Sequence, residues 1–150
     1  MTDSELPSGF DVDTEIVRFA RRARTYAMSH IGEIHEELDY GTFLLLVAIC
    51  DAQTGVRASE LADEMQVHKS TVSRAVSTLE RLDLVRRATH PNDGRAQLLM
   101  VPEDARRRVD AFRARGQAQL EEILSEWSPE ELATFARQLG RLNDAAEKIE

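Results

Sequence analysis

The fold of this chain is decided by the stretch ASELADEMQVHKSTVSRAVSTLERLDLVRRATHPNDGRAQLLMV, residues 58–101. Its apolar residues recur at helical spacing over 59–65 and again over 69–83, with a tight break between the two runs. Two short strand-like runs follow, 84–88 and 96–101, and the segment 89–94 between them is dense in turn formers. This order predicts a helix-turn-helix followed by a β-hairpin wing.

The second helix of this unit is predicted to have a polar outward face. Its apolar stripe turns inward, and the residues left outward near its start are Lys69, Ser70, Thr71, Ser73 and Arg74. The second helix of a helix-turn-helix fits the major groove of DNA, where an arginine can bond a guanine edge through two parallel donors. The alternative for Arg74 is a phosphate contact or a solvated side chain.

Charge is distributed unevenly along the chain. The net charge is −8, yet residues 67–101 hold six Lys/Arg and three Asp/Glu, a local charge of +3 that leaves −11 for the rest. In the hairpin, Arg86 and Arg87 alternate in a strand, so one is expected to face DNA or the dimer partner and the other solvent. An acidic body with one basic patch orients that patch toward a polyanion and weakens nonspecific binding.

Length and composition favour one compact domain, or one domain with helical extensions. The chain has 150 residues, 42% of them hydrophobic, and no apolar run approaches the roughly 20 residues that span a bilayer. The acidic start lacks a secretory leader, and the one cysteine, Cys50, rules out an internal disulfide framework. We therefore expect a cytoplasmic protein in which Cys50 is a buried, inert thiol.

The flanking segments predict helices around the central unit. Residues 1–12 are expected to be a disordered tail, and a long helix with an apolar stripe runs from Asp13 until Gly41 breaks it. Residues 42–50 are a short buried helix or a buried strand, with helix favoured by the setting. A long helix follows Pro102, and Ser128 caps a last helix. The terminal helices carry more apolar surface than the winged unit can cover, which predicts a homodimer.

The central block resembles the MarR family of winged helix-turn-helix regulators. The matching segments are ASELA at 58–62, VHKSTVSR at 67–74, LERLDLVRR at 79–87 and PNDGR at 91–95, and the resemblance covers about residues 13–149. His68 departs from the family, where a small capping residue is common, and Asp83-Leu84 departs where a glycine is frequent. The resemblance implies a single domain over 13–150, with dimerisation helices at 13–40 and 103–150 and the winged unit at 41–102.

The resemblance also implies a function. It implies a homodimer on a pseudo-palindromic operator in double-stranded DNA, usually repressing a nearby gene and often released by a small-molecule effector. The recognition contacts carry over to Ser70, Thr71, Ser73 and Arg74. The Asp-x-Arg motif of the wing places Arg95 in the minor groove, where a narrow groove attracts a guanidinium and Asp93 could hold that guanidinium in place.

An effector site is implied between the dimer helices and the winged unit, lined by residues around His30, Ile34, Phe43 and Phe112. No enzyme constellation, cofactor motif or metal-ligand cluster is found in the sequence. The competing interpretation is a protein-interaction module on the same fold that has lost DNA binding. Acidic or bulky apolar residues on the outward face of the second helix would favour that alternative.

Overall fold

The structure, a computed structural model, describes residues 11–148, which form six α-helices and one antiparallel hairpin. The helices are α1 (Val12–His30), α2 (Tyr40–Asp51), α3 (Ala58–Glu64), α4 (Lys69–Arg81), α5 (Glu103–Ile123) and α6 (Pro129–Ala146). The strands are β1 (Arg86–His90) and β2 (Asp93–Met100). The predicted fold class, mainly helical with a small hairpin wing, is confirmed.

The described chain separates into two compact units, the first ending at Phe112 and the second beginning at Arg113. The first unit holds α1 to α4, the hairpin and the first half of α5, so it includes the whole helix-turn-helix and wing. The second unit holds the rest of α5 and α6. Of the tail expected over 1–12, residues 1–10 lie outside the described residues. Asp11 is the N-cap of α1 and Val12 is its first residue.

The hydrophobic core lies in the first unit and is mainly aliphatic. The largest fully buried side chains are Ile34, Leu46, Ile49, Leu61, Val72, Val76, Leu79, Leu84, Leu99 and Val109. α4 buries one face through Val72, Val76 and Leu79 and packs on both α2 and α3. Burial of that face, at about 1.5–3 kcal/mol for each large aliphatic side chain, fixes which side of α4 points outward.

The long first helix predicted from the apolar stripe is wrong beyond His30. α1 ends there, and a 3₁₀ turn, Ile31–Glu33, follows it. Ile31, Ile34 and Leu38 are still buried, because successive turns place residues three and four apart on one side just as a helix does.

Gly41 does not break a helix, contrary to the prediction. It lies in the first turn of α2, whose N-cap is Asp39. The Thr42 side chain and then its backbone N–H donate hydrogen bonds to that carboxylate, which lowers the pKa of Asp39 below its usual value. The helical interpretation of residues 42–50 is confirmed, and Cys50 is buried in α2.

Two non-glycine residues take left-handed backbone conformations at the ends of the central helices. Gln66, in the turn between α3 and α4, has φ +52°, and Asp83, just after α4, has φ +57°. This explains why the family resemblance showed a frequent glycine near Asp83, since glycine adopts positive φ without steric cost. Asp83 tolerates the same conformation because its short polar side chain is among those that visit this region.

The strands of the wing lie closer to its tip than the sequence predicted. β1 begins at Arg86 and reaches His90, and β2 already starts at Asp93, so only Pro91 and Asn92 connect them. Leu84, assigned to a strand from sequence, instead lies buried in the turn after α4. The turn formers of 89–94 are tolerated in the strands because the tip is exposed and needs no packed side chains.

The second unit carries its apolar residues on the surface. α6 has no buried residue, and its N-terminus shows the predicted capping box of Ser128 and Glu131 with Pro129 in the first turn. Trp127 packs edge-on against Phe135 at 5.5 Å between ring centroids. The exposed large apolar residues of this unit are Leu120, Ile123, Trp127, Phe135, Leu139 and Leu142.

Candidate nucleic-acid interface

α4 presents the polar face that the sequence predicted. With Val72, Val76 and Leu79 buried on one side, the opposite side carries Lys69, Ser70, Thr71, Ser73 and Arg74, and all five are exposed. Residues three and four apart share a helix face, so Ser70, Ser73 and Arg74 form one surface. Ser77 continues that surface by one turn, is exposed, and was missed from sequence.

The start of α4 has no side-chain cap among the described residues. His68 occupies the N-cap position with extended backbone but makes no capping hydrogen bond. The first N–H groups of a helix lack intrahelical acceptors, and the helix dipole places partial positive charge there. The first turn of α4 contains no acidic residue. The partial positive charge of the uncapped helix end therefore adds to the charge of Lys69.

Four cations of the central unit have no carboxylate partner among the residues described. Lys69, Arg74, Arg86 and Arg95 are exposed and take part in none of the ion pairs found within residues 11–148. The Arg74 Nε donates to the Ser70 carbonyl at 3.4 Å, a contact that leaves its terminal nitrogens available. These four side chains are the part of the basic patch that a polyanion could engage.

The other two cations of the patch are already paired. Arg87 Nε lies 2.8 Å from Glu80 Oε1, and Arg81 Nη1 lies 2.9 Å from Glu37 Oε2. The sequence left open which of the two strand arginines would face a partner. The structure distinguishes them, since Arg87 is held by a carboxylate of α4 while Arg86 is not.

The wing tip is organised differently from the prediction for Asp93. Asp93 Oδ1 accepts a hydrogen bond from the backbone N–H of Arg95 at 3.1 Å, and Asp93 Oδ2 lies 3.7 Å from Arg57 Nη2. The predicted contact of the Asp93 carboxylate with the Arg95 guanidinium is wrong in the described structure. The carboxylate sits at the start of β2, within reach of the residue that precedes α3, and the Arg95 side chain is left free to extend outward.

The segment before α3 is joined to the base of the wing. Val56 forms an isolated antiparallel bridge with Leu99. The Val56 nitrogen donates to the Leu99 carbonyl oxygen at 3.2 Å, and the Leu99 nitrogen donates to the Val56 carbonyl oxygen at 2.8 Å. Gly55, at φ +89°, approaches β2 so closely that a Cβ there would lie 3.1 Å from the Leu98 Cβ and 3.2 Å from the Leu99 carbonyl oxygen. Only a glycine fits this crossing without displacing the wing.

The four residues expected around an effector lie in the first unit, and three of them (His30, Phe43 and Phe112) belong to an aromatic cluster. Phe43 packs edge-on against Phe112 at 5.0 Å, Tyr26 lies 6.0 Å from Phe112, and Tyr26 stacks on His30 at 4.3 Å. Ile34 is fully buried, and its carbonyl accepts a hydrogen bond of 2.7 Å from Arg108 Nη1.

Two donors in the same unit lack hydrogen-bond partners within the described chain. They are the Tyr26 hydroxyl and the Nε of Arg108, both buried atoms. A buried donor without an acceptor costs about 1–3 kcal/mol, so each favours an added acceptor. Sequence reasoning missed both residues, because a tyrosine and an arginine on helices carry no signal of which buried carbonyl or ring they meet.

Residues 11–148 were also compared with the requirements of a metal site and of a membrane-spanning helix. No group of three or more His, Cys, Asp or Glu side chains is placed to hold a metal ion there. Over the same residues, none of the helices combines the length and apolar character that crossing a membrane requires.

Comparison with known sequences gives a family match. Residues 38–96 match the model of the MarR family. An uncharacterised HTH-type transcriptional regulator of Bacillus subtilis (strain 168), YxaD, is 30% identical over 134 residues, which cover 89% of this chain and 92% of that protein.

Comparison with solved structures gives the same fold. Streptococcus pneumoniae FabT, in a complex with DNA, is 18% identical with a TM-score of 0.81, and the match covers 93% of this chain and 97% of that one. A MarR transcriptional regulator from Methanosarcina mazei is 18% identical with a TM-score of 0.75, covering 93% and 98% respectively. At these identities the similarity establishes the architecture alone.

Proposed function

Because this chain belongs to the MarR family of transcriptional regulators, we propose that it binds double-stranded DNA sequence-specifically as a homodimer on a pseudo-palindromic operator. The observation that carries the proposal is a set of four cations that have no carboxylate partner among residues 11–148, in an otherwise acidic chain: Lys69, Arg74, Arg86 and Arg95. FabT, which shares the fold, has been solved in complex with DNA.

In the proposed complex, α4 of each protomer enters a major groove and the half-sites are about one helical turn, ~10 bp, apart. Arg74 reads a base edge, while Lys69 and the hydroxyls of Ser70, Thr71 and Ser73 bond phosphates or bases. Arg95 enters the minor groove, and Asp93 serves the interface by fixing the backbone of Arg95. Arg86 meets phosphate, whereas Arg87 supports the wing through Glu80.

The proposed dimer is supported by apolar surface on both units. α1 leaves Ile16, Val17 and Phe19 exposed, and α6 leaves Phe135 and Leu139 exposed. Burying an exposed apolar face at about 25 cal/mol per Å² drives association in water. A second copy of the chain covers these faces in the proposal. Occupation of an operator by such a dimer represses the adjacent gene by excluding the transcription machinery.

The proposed effector is a small molecule that carries a hydrogen-bond acceptor. It would take its place beside Phe43 and Phe112, with His30 and Ile34 on the same site. The unpartnered donors of Tyr26 and Arg108 favour an acceptor group over an aliphatic ligand. Such a molecule weakens operator binding only if it binds one arrangement of the dimer better than the other.

The test uses fluorescence anisotropy of the purified protein with a random-sequence duplex and with a duplex selected by the protein from a random pool. Measurements at about 50 and 200 mM salt are expected to show affinity falling steeply with salt, and a clear preference for the selected duplex. The protein-interaction module remains the alternative. Affinity for DNA that is absent, or that ignores salt, supports that module and contradicts the proposal.

A further inference from the structure

We propose that Arg57 positions the wing tip, so that Arg95 is already aimed at the minor groove before DNA binds. This rests on the proposed function, and it assigns a role to a residue outside the recognition helix and outside the wing. Arg57 is a positioning residue in this proposal and makes no contact with DNA.

The geometry links Arg57 to Arg95 through one carboxylate. Arg57 Nη2 lies 3.7 Å from Asp93 Oδ2, and the other oxygen of Asp93 accepts the backbone N–H of Arg95 at 3.1 Å. The orientation of the Asp93 carboxylate therefore depends on Arg57 and in turn determines the direction in which the chain carries Arg95.

Arg57 is itself fixed to the helix-turn-helix. Its backbone N–H donates to Glu60 Oε2 at 2.9 Å, and its Nε lies 4.0 Å from Glu60 Oε1. The adjacent bridge of Val56 with Leu99 holds the base of the wing. A two-stranded hairpin is marginally stable by itself, so a tip far from that bridge needs a further restraint. Arg57 is that restraint, and it ties the wing to the start of α3.

The charges around Arg57 argue against a phosphate contact. Two carboxylates, Glu60 and Asp93, lie beside one guanidinium, so the local charge is negative. A phosphate is repelled there, unlike at Lys69 or Arg74. Removing Arg57 therefore weakens DNA binding without reducing the number of counterions that binding releases.

The experiment measures operator affinity as a function of salt for Arg57→Gln, Asp93→Asn and the double variant. The probe is a duplex of about 30 bp selected from a random pool by the wild-type dimer. The Asn side chain keeps an acceptor for the Arg95 N–H but removes the charge that attracts Arg57. Arg107→Gln is the matched control, because Arg107 is also an exposed arginine paired with a carboxylate, Asp104.

The expected result is a loss of affinity of about 3- to 10-fold for Arg57→Gln, modest because the contact is solvent-exposed. The slope of log K against log salt stays within about 0.3 of the wild-type slope. The double variant is expected to bind the operator less than about 2-fold more weakly than Asp93→Asn alone, because both changes break the same contact. Arg57→Lys recovers part of the affinity, and Arg107→Gln matches wild type.

Three outcomes overturn the inference. Unchanged affinity in Arg57→Gln removes the role, additive losses in the double variant separate Arg57 from Asp93, and a slope smaller by about 2 makes Arg57 a phosphate contact. If Arg57→Gln does not fold, judged by circular dichroism, Asp93→Asn is expected to show the same loss at an unchanged slope, and Arg57→Lys a smaller loss. Failure of the wild-type protein to bind any duplex contradicts the proposed function itself, which is a distinguishable result.

Discussion

Removal of the Arg95 side chain is the sharpest test of the proposed wing contact. Arg95 is exposed, and its guanidinium has no ion-pair partner within the described residues, so no carboxylate among them competes with DNA for it. Arg95→Ala deletes one such cation from each protomer and two from the proposed dimer. The fold is expected to be unaffected because the side chain packs against nothing in the core.

The magnitude follows from counterion release. Each phosphate neutralised contributes about −0.9 to the slope of log K against log salt, so loss of two contacts reduces the slope by about 1.8. Over a fourfold change in salt, from about 50 to 200 mM, the ratio of wild-type to variant affinity is therefore expected to shrink about 12-fold. If the role of Arg95 is not electrostatic, the ratio of wild-type to variant affinity is the same at both salt concentrations.

The assay is anisotropy titration of the selected duplex at several salt concentrations, with sedimentation to check that the dimer persists. Arg107→Ala is the control for loss of an exposed arginine away from the interface. Wild-type affinity in Arg95→Ala, or a slope equal to that of wild type, refutes the assignment of Arg95 to the minor groove.

Three further predictions concern stability and assembly. Asp83→Val is expected to lower the free energy of unfolding by about 1–2 kcal/mol, because φ is +57°, whereas Asp83→Gly changes it by less than about 1 kcal/mol; urea denaturation compares them. The lowered pKa of Asp39 stabilises the fold above the ordinary carboxyl pKa, about 3.9, and that stability is lost as pH falls through the lower folded value. In Asp39→Asn, the urea midpoint is therefore expected to fall less steeply below about pH 4 than in the wild type. A fall as steep as that of the wild type contradicts this prediction. Leu139→Lys is expected to give a monomer by sedimentation, because it charges an exposed apolar stripe; an intact dimer places the interface elsewhere.

The parts of the fold that sequence predicted are those determined by neighbours in the chain. The apolar spacing of Val72, Val76 and Leu79 predicted both that α4 is a helix and which of its faces is exposed. The Ser128-Pro129-Glu131 pattern gave the start of α6, because capping involves residues within one turn. The exposed set from Lys69 to Arg74 followed directly, since burying one face of a helix leaves the other to solvent.

The errors and omissions involve contacts between distant segments or competing local geometries. Apolar spacing at Ile31 and Ile34 fits a helix and a series of tight turns equally well, so it could not locate the end of α1. The Arg57–Asp93 pair joins residues on different elements, and no local pattern marks it. The same limit hid the Arg108 bond to the Ile34 carbonyl. Side-chain partners across a fold depend on packing geometry that composition does not encode.

The division of the basic patch into paired and unpaired cations has a consequence for specificity. Arg81 and Arg87 are bound by carboxylates, so four of the six cations of the basic patch have no carboxylate partner among the described residues, and the remainder of the chain is strongly acidic. If these eight patch cations of the proposed dimer make all the phosphate contacts, the dimer has a salt slope of about −7. Its affinity for random duplex is correspondingly low, because nonspecific binding is almost entirely electrostatic. Discrimination among sites must then come from base contacts by Arg74 and its neighbours and from the minor-groove width that Arg95 reads.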